Sequence, residues 1–332
     1  MFLGPTGDTL FYKRRVDGLD TLYAFQPDTG KVEVHAQIAS SAEQLRAWPT
    51  HSGQIVVCNG WPRTQSGLKF RFYDAKRISE LLQKQASNLN EGLTDVPALS
   101  DFRLERKALP VQIFEAIRGE QVVLPGFGPQ LESDDRQLPA LYEIDGTSAS
   151  YRLVPLSFLK STTIPGSLVE EPGGARRWLT VGDSNHLFVL DAKTHELVGD
   201  VIWPAEQQAL ARVVFHPVRP EAWISTLSSI FVYDRERLTL IGEIPVEEEL
   251  RWHRGERVLG FVGAVSFSQD GARALIARPL SGDLLEVDVV TRKRLSRVPV
   301  VIDPLELCTA PGVGRVYMQS LRNGNVSWFP YR

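Results

Sequence analysis

Short apolar runs separated by turn residues dominate the hydrophobic and polar pattern of the chain. The clearest stretch, residues 264–301, contains four such runs, which are separated by an Asp270-Gly271 turn, a Gly282-Asp283 turn and a polar turn at 291–293. Each run is short and rich in β-branched residues, and each is bounded by residues that favour turns. This pattern predicts four consecutive β-strands, without the alternation with helices that marks an α/β protein.

The four-strand pattern recurs along the chain with a period of about 40 residues, which is typical of repeat architectures. It is clearest at 178–201, 212–246 and 264–301, and weaker copies occupy the rest of the sequence. A four-stranded repeat of this length corresponds to one blade of a propeller. The prediction is an all-β, seven-bladed β-propeller that forms a single domain over residues 1–332, with blades at about 2–38, 45–82, 111–157, 166–204, 209–246, 262–301 and 304–332.

The repeat resembles the YVTN-type and WD-like propeller repeats of bacterial proteins. The resemblance rests on the order strand, Asp-Gly turn, strand, Gly-Asp turn, strand, which ends at Val287-Asp288 in the clearest copy. It covers nearly the whole chain and implies the propeller architecture. It implies almost nothing about activity, because one fold hosts many functions.

Two segments interrupt the repeat. Residues 78–106 begin with good helix formers at apolar spacing, Ile78–Ala86, so we expect a short helical insertion between blades two and three. Residues 247–260 combine three consecutive glutamates with Arg251, Trp252, His253 and Arg254. The density of charge in this second segment predicts a solvent-exposed insertion.

The two ends of the chain leave the closure of the propeller open. The last repeat ends after its third strand, at 325–329, and residues 1–3 supply little of a fourth. Either a three-stranded blade closes the ring, or the natural chain begins upstream with a further strand or an export signal. Met1–Pro5 lacks the charged and apolar regions of a secretory leader. Both a cytoplasmic and an exported location therefore stay open.

Composition excludes several classes of protein. The chain has 37 Lys and Arg residues against 40 Asp and Glu residues, which gives no support to a nucleic-acid partner. No stretch approaches the ~20 apolar residues of a membrane span. The two cysteines, Cys58 and Cys308, lie in apolar runs and are predicted to be buried thiols.

Candidate binding residues concentrate on one rim of the predicted propeller. The connections between second and third strands share a rim with the connections between blades, and we call this the predicted rim. Arginine offers a bidentate fork to carboxylate or phosphate, and exposed tryptophan beside arginine is a common interface anchor. Pairing of these arginines with neighbouring aspartates is the structural alternative. The candidate residues are Trp61, Arg63, Arg136, His186, Arg251, Trp252, His253, Arg254, Arg278 and Arg322.

These residues predict a recognition scaffold that binds a protein partner or an anionic ligand, either alone or as a subunit of a larger complex. The six histidines show no metal-ligand spacing, no catalytic motif occurs, and no cofactor is predicted. The alternative is a redox or lyase-type enzyme subunit. Some propellers that resemble this repeat bind a tetrapyrrole, and the resemblance would then make His186 or His253 the axial ligand.

Overall fold

The structure is a computed structural model, and its chain divides into two compact units, Met1–Leu168 and Val169–Arg332. Within the described ranges, no helix has the length and apolar character needed to cross a membrane. The described residues are 1–4, 7–27, 35–41, 45–49, 53–59, 68–87, 98–104, 117–118, 121–127, 138–145, 150–160, 163, 165–182, 184–204, 212–226, 228–246, 251–253, 256–258, 262–300, 303–310, 314–320 and 324–331.

The first unit contains three antiparallel four-stranded sheets and one helix. Blade 1 is β1 (Phe2–Leu3), β2 (Leu10–Val16), β3 (Leu19–Phe25) and β4 (His35–Ser41). Blade 2 is β5 (Leu45–Pro49), β6 (Gln54–Asn59), β7 (Leu68–Asp74) and β8 (Ser100–Leu104), with α1 (Ala75–Ser87) between β7 and β8. Blade 3 is β9 (Ile117–Arg118), β10 (Gln121–Phe127), β11 (Pro139–Asp145) and β12 (Ser150–Pro155).

The second unit contains the remaining sheets, and the first strand of blade 4 begins just before its boundary. Blade 4 is β13 (Pro165–Glu170), β14 (Arg176–Val181), β15 (His186–Asp191) and β16 (Leu197–Ile202). Blade 5 is β17 (Arg212–Phe215), β18 (Glu221–Ser225), β19 (Ser229–Asp234) and β20 (Thr239–Pro245). After a hairpin of β21 (Arg251–His253) and β22 (Glu256–Val258), blade 6 is β23 (Val265–Phe267), β24 (Arg273–Arg278), β25 (Asp283–Asp288) and β26 (Arg294–Pro299). The C-terminal sheet is β27 (Pro304–Ala310), β28 (Arg315–Ser320) and β29 (Val326–Pro330).

The prediction of seven blades is wrong. Within the described residues, six sheets have the four strands of a complete blade, and the C-terminal sheet has three. The sequence reveals each strand through its local apolar run. It does not reveal whether a fourth strand pairs with the last sheet, because strand pairing depends on residues distant in the chain.

The predicted helix is present, but its expected position between blades is wrong. Helix α1 follows the third strand of blade 2 directly, and the fourth strand of the same sheet comes after it. Asp74 caps the helix, since its Oδ1 accepts the backbone N–H of Lys76 at 2.9 Å. Ile78 and Leu82 lie one turn apart and are buried in the apolar core of the first unit. The helix therefore replaces the turn between the third and fourth strands of blade 2.

An aspartate at the end of the third strand organises the turn to the fourth strand in blades 4, 5 and 6. Its Oδ1 accepts the backbone N–H of the residue three positions later, as Asp234 does from Arg237 at 2.9 Å. Four positions after the aspartate, the chain takes the left-handed conformation. The aspartates are Asp191, Asp234 and Asp288, and the left-handed residues are His195, Leu238 and Arg292, with φ of 61°, 54° and 57°. The aspartate that ends each of these three third strands thus has a structural reason.

Buried tryptophans join successive blades of the second unit. Trp223 of blade 5 is fully buried, packs edge-on against Phe267 of blade 6 at 5.0 Å between ring centroids, and donates its indole N–H to Glu221 at 3.1 Å. One blade earlier, Trp178 packs edge-on against Phe215 at 5.6 Å between ring centroids. Its indole N–H donates to Glu171 at 3.2 Å. In both blades a buried glutamate therefore satisfies the indole N–H, from the start of the second strand in blade 5 and from the turn before it in blade 4.

Candidate functional site

Five of the ten predicted site residues lie outside the part of the chain that the structure describes. These are Trp61, Arg63, Arg136, Arg254 and Arg322. The backbone of Arg251, Trp252 and His253 forms strand β21. His186 and Arg278 are described with their side chains, and both belong to blades of the second unit.

The connection between blades 5 and 6 carries the hairpin of β21 and β22. Its register pairs Trp252 with Arg257 and His253 with Glu256 across the two strands. Val246 and Val262, on either side of the hairpin, are both buried in one apolar cluster. The residues that flank the segment are therefore held in the core, and the described part of the predicted charged insertion forms a regular hairpin.

Arg278 holds the start of this connection instead of facing solvent. Its side chain is 1% exposed, and its guanidinium forms a bidentate pair with Asp283, in which Nε donates to Oδ1 at 2.6 Å and Nη2 donates to Oδ2. Its Nη1 also donates to the carbonyl of Val246 at 3.3 Å. The hydrogen bonds of Arg278 are thus made within the protein. Arg278 acts as a positioning residue, because it holds Val246 at the start of the connection that carries the hairpin.

His186 lies at the start of the third strand of blade 4, next to the connection from the second strand. Its Nε2 is 2.5 Å from Oδ2 of Asp200, and its ring packs against Phe188 at 4.7 Å between centroids. The adjacent connection is fixed by Asn185, whose carbonyl accepts the backbone N–H of Trp203 at 3.1 Å. This edge of blade 4 is therefore ordered by polar contacts, and one nitrogen of His186 is engaged by a carboxylate.

Sequence reasoning missed an ion pair between two first strands of the second unit. Nη1 of Arg212 is 3.0 Å from Oε1 of Glu306, and the two side chains are 45% and 29% exposed. Arg212 begins β17 and Glu306 lies near the start of β27, so both follow connections of the predicted rim. The available signal was a charged residue at the start of the otherwise apolar strand Val213–Phe215.

Arg212, Glu306 and His186 keep part of their side chains exposed near the predicted rim. Among the residues that the structure describes, no group of three or more His, Cys, Asp and Glu side chains could hold a metal ion. The features suited to recognition are the anchored hairpin, the exposed Arg212–Glu306 pair and the half-exposed His186.

Comparison with known proteins identifies the fold. No protein-family model matches the chain, and no curated protein matches it in sequence. The β-propeller domain of Cps50 (Swd1) from Myceliophteria thermophila is 12% identical with a TM-score of 0.66, covering 99% of this chain and 96% of that chain. A chain of a mitotic checkpoint complex is 10% identical with a TM-score of 0.66, covering 100% of this chain and 86% of that chain. The chain has a β-propeller fold.

A third solved structure extends the range of functions found on this fold. Hydrazine synthase from Kuenenia stuttgartiensis is 13% identical with a TM-score of 0.68, covering 99% of this chain and 94% of that chain. At such low identity the three likenesses establish the fold alone, because propellers carry unrelated functions. The function must therefore be argued from the site.

Proposed function

We propose that this protein is a recognition scaffold that binds a protein partner or an anionic ligand on the predicted rim. The hairpin of β21 and β22 carries the proposal, because it places Arg251, Trp252 and His253 in the connection between two blades. Binding residues concentrate on connections that a rigid scaffold holds in place. Tryptophan and arginine are also the residue types that most often dominate binding energy at protein interfaces.

The anchoring of the hairpin supports this function. A binding segment loses less conformational entropy on association when its ends are already fixed. Val246 and Val262 fix the two ends in the core, and the buried Arg278–Asp283 pair holds the carbonyl of Val246. The fold neighbours include a component of a mitotic checkpoint complex, which agrees with a propeller that works through protein partners.

A pair of matched double variants tests the proposal. Trp252→Ala with Arg254→Ala removes the central tryptophan and an arginine of the rim segment. The control, Trp328→Ala with Arg315→Ala, removes the same residue types from the C-terminal sheet, where Arg315 lies 4.0 Å from the ring centroid of the 43% exposed Trp328. We expect a partner copurified from the native host with the wild type and the control to be lost from the rim variant.

Urea unfolding of all three proteins separates lost binding from lost folding. The rim variant should unfold within about 0.5 kcal/mol of the wild type, as is usual for surface substitutions. Equal recovery of the partner by the rim variant and the wild type contradicts the proposal.

A further inference from the structure

The turn and outer strand that follow the third strand carry an unusual charge in blade 6. We call this stretch the outer segment, and it begins directly after the aspartate that ends the third strand. It is 192–202 in blade 4, 235–245 in blade 5 and 289–299 in blade 6. It holds one Lys or Arg and two acidic residues in blade 4, and two of each in blade 5. In blade 6 it holds four Lys and Arg residues and no acidic residue, so its charge is strongly positive.

The strand register allows the outer strands of blades 5 and 6 to be compared position by position. Arg294 of blade 6 occupies the position that Leu240 occupies in blade 5. Arg297 occupies the position of Glu243. All four side chains are exposed. At positions that face solvent in both blades, blade 6 therefore has two arginines where blade 5 has a leucine and a glutamate.

Arg294 and Arg297 lie on the same face of their sheet. Arg294 is paired with Val287, and Arg297 is paired with Leu285. Residues that are directly paired across two strands share a face. Val287 and Leu285 belong to the apolar cluster that blades 5 and 6 share, so this face is directed towards blade 5. Arg292 extends to the same side, since its Nη1 donates to a backbone carbonyl of blade 5 at 2.6 Å.

The carboxylates of the neighbouring third strand are engaged by other residues. Asp283 pairs with the buried Arg278, and Glu286 accepts a hydrogen bond from Arg273 at 3.2 Å. Asp288 accepts a backbone N–H of the turn that follows it at 2.7 Å. Two of these three carboxylates are thus neutralised by arginines of the second strand. The outer segment therefore has more positive charge than the strand beside it can balance.

We propose that the outer strand of blade 6 is a binding surface for an acidic segment of a partner protein. A strongly positive surface is complementary to a segment that carries several carboxylates. A guanidinium binds a carboxylate through two parallel hydrogen bonds. Arg294 and Arg297 are about 7–10 Å apart along the strand, and alternate side chains of an extended segment are about 7 Å apart. Two glutamates of one extended segment can therefore contact both arginines.

The neighbouring side chains favour a protein over a nucleic acid. The whole chain has 37 Lys and Arg residues against 40 Asp and Glu residues, so the positive surface is local. Surfaces that bind single-stranded nucleic acids add aromatic side chains on which bases stack. Here the exposed apolar neighbours are the aliphatic Leu295 and Val290, at 52% and 66% exposure. The turn that begins the outer segment lies at the opposite end of the strands from the predicted rim, so this surface is separate from the proposed function.

Calorimetry with a defined peptide tests the surface. The probe is a blocked heptapeptide in which glutamates alternate with threonine, leucine and threonine, and its counterpart has glutamine in place of every glutamate. The wild type should bind the glutamate peptide at least about tenfold tighter than the glutamine peptide. Arg294→Gln with Arg297→Gln should weaken binding of the glutamate peptide about fivefold, as expected for two exposed ion pairs. The control, Arg77→Gln with Arg237→Gln, removes two other exposed arginines and should bind like the wild type.

Three further measurements complete the test. Arg294→Lys with Arg297→Lys keeps both charges and should retain most of the binding, which distinguishes lost charge from a damaged fold. The rim variant, Trp252→Ala with Arg254→Ala, should bind the glutamate peptide like the wild type, because the two surfaces are separate. Oligothymidylate and vesicles of phosphatidylserine and phosphatidylcholine are compared as other anionic probes. Equal peptide binding by the wild type and the Arg294→Gln, Arg297→Gln variant overturns the proposal, and so does tighter binding of either other probe than of the glutamate peptide.

Discussion

His216 connects two blades of the second unit through both nitrogens of its ring. Nδ1 accepts the backbone N–H of Val218 at 3.1 Å and of Arg219 at 2.8 Å, and Nε2 lies 2.8 Å from the carbonyl oxygen of Gly271 in blade 6. Since Nδ1 accepts, the ring proton must be on Nε2, which donates to Gly271. The side chain is 2% exposed, so water cannot replace these bonds easily.

Two substitutions of His216 separate the local bonds from the bond between blades. Alanine removes all three bonds. At about 0.5–1.5 kcal/mol for each bond, we expect the free energy of unfolding to fall by about 2–4 kcal/mol. Asparagine can still accept the N–H groups two and three residues ahead through its side-chain oxygen, as in an Asx turn. It is too short to reach Gly271, so it should cost only about 1–2 kcal/mol.

Urea unfolding followed by tryptophan fluorescence at pH 7.5 measures both losses. The expected order of the free energy of unfolding is wild type, then His216→Asn, then His216→Ala, with little change in the dependence on urea concentration. If His216→Asn and wild type are equally stable, the bond to Gly271 does not join the blades. If His216→Ala and His216→Asn are equally unstable, the bonds from Val218 and Arg219 contribute nothing to the free energy of unfolding.

The pH dependence gives an independent check on the same residue. Burial lowers the pKa of His216 below its ordinary range, with the bond to Gly271 and the charge of Glu221 opposing this effect and the charges of Arg219 and Arg235 adding to it. Below a pH of about 6.5 this histidine is protonated in the unfolded chain. In the folded protein it stays neutral until the pH falls to its lowered pKa. The free energy of unfolding should therefore fall as the pH decreases from about 6.5 towards the lowered pKa. His216→Asn should lack this contribution, and an identical pH slope in the variant and the wild type would refute the assigned neutral state.

Two further substitutions test contacts that only the folded structure shows. A Cβ at Gly242 would lie 2.5 Å from Nη1 of Arg292, which donates to the carbonyl of Ile241 at 2.6 Å, so Gly242→Ala should destabilise the protein by about 1–3 kcal/mol in urea unfolding. In an Arg292→Ala background this cost should largely disappear, and an unchanged cost would rule out the contact as its cause. Arg278→Ala leaves Asp283 without its buried partner and should cost about 3–5 kcal/mol by the same measurement, whereas a loss below about 1 kcal/mol would contradict the positioning role.

The strands and turns of this propeller were predictable because their signals are local. An apolar run between turn residues predicts a strand wherever it occurs, and the helix at Ile78–Ala86 was identified by apolar spacing within α1 (Ala75–Ser87). The position of that helix inside blade 2 was not predictable. Strand β8 follows it after a long connection, and only the hydrogen bonds of β8 with β7 assign it to the same sheet. The number of complete blades was misjudged for the same reason.

The candidate site likewise combines features that the sequence could predict with contacts that only the folded structure shows. The sequence identified the rim segment containing Trp252 by its composition, and that prediction still awaits its test. It also proposed Arg278 as a ligand-facing residue, but the structure pairs it with Asp283 at 1% exposure. Arg235, whose Nε and Nη1 have no acceptor among the described residues, could not be singled out, because a lone arginine in a turn looks ordinary in a sequence.

The sequence by itself determined the all-β repeat, the turn chemistry and the set of charged residues available for binding. The tertiary structure alone decided which of those charges are satisfied. Asp283 satisfies Arg278 within one blade, Glu221 satisfies the indole of Trp223, and no described residue satisfies the buried nitrogens of Arg235. The physical reason is that turn and strand preferences act between neighbours in the chain, whereas burial and ion pairing depend on which residues the packing of sheets brings together.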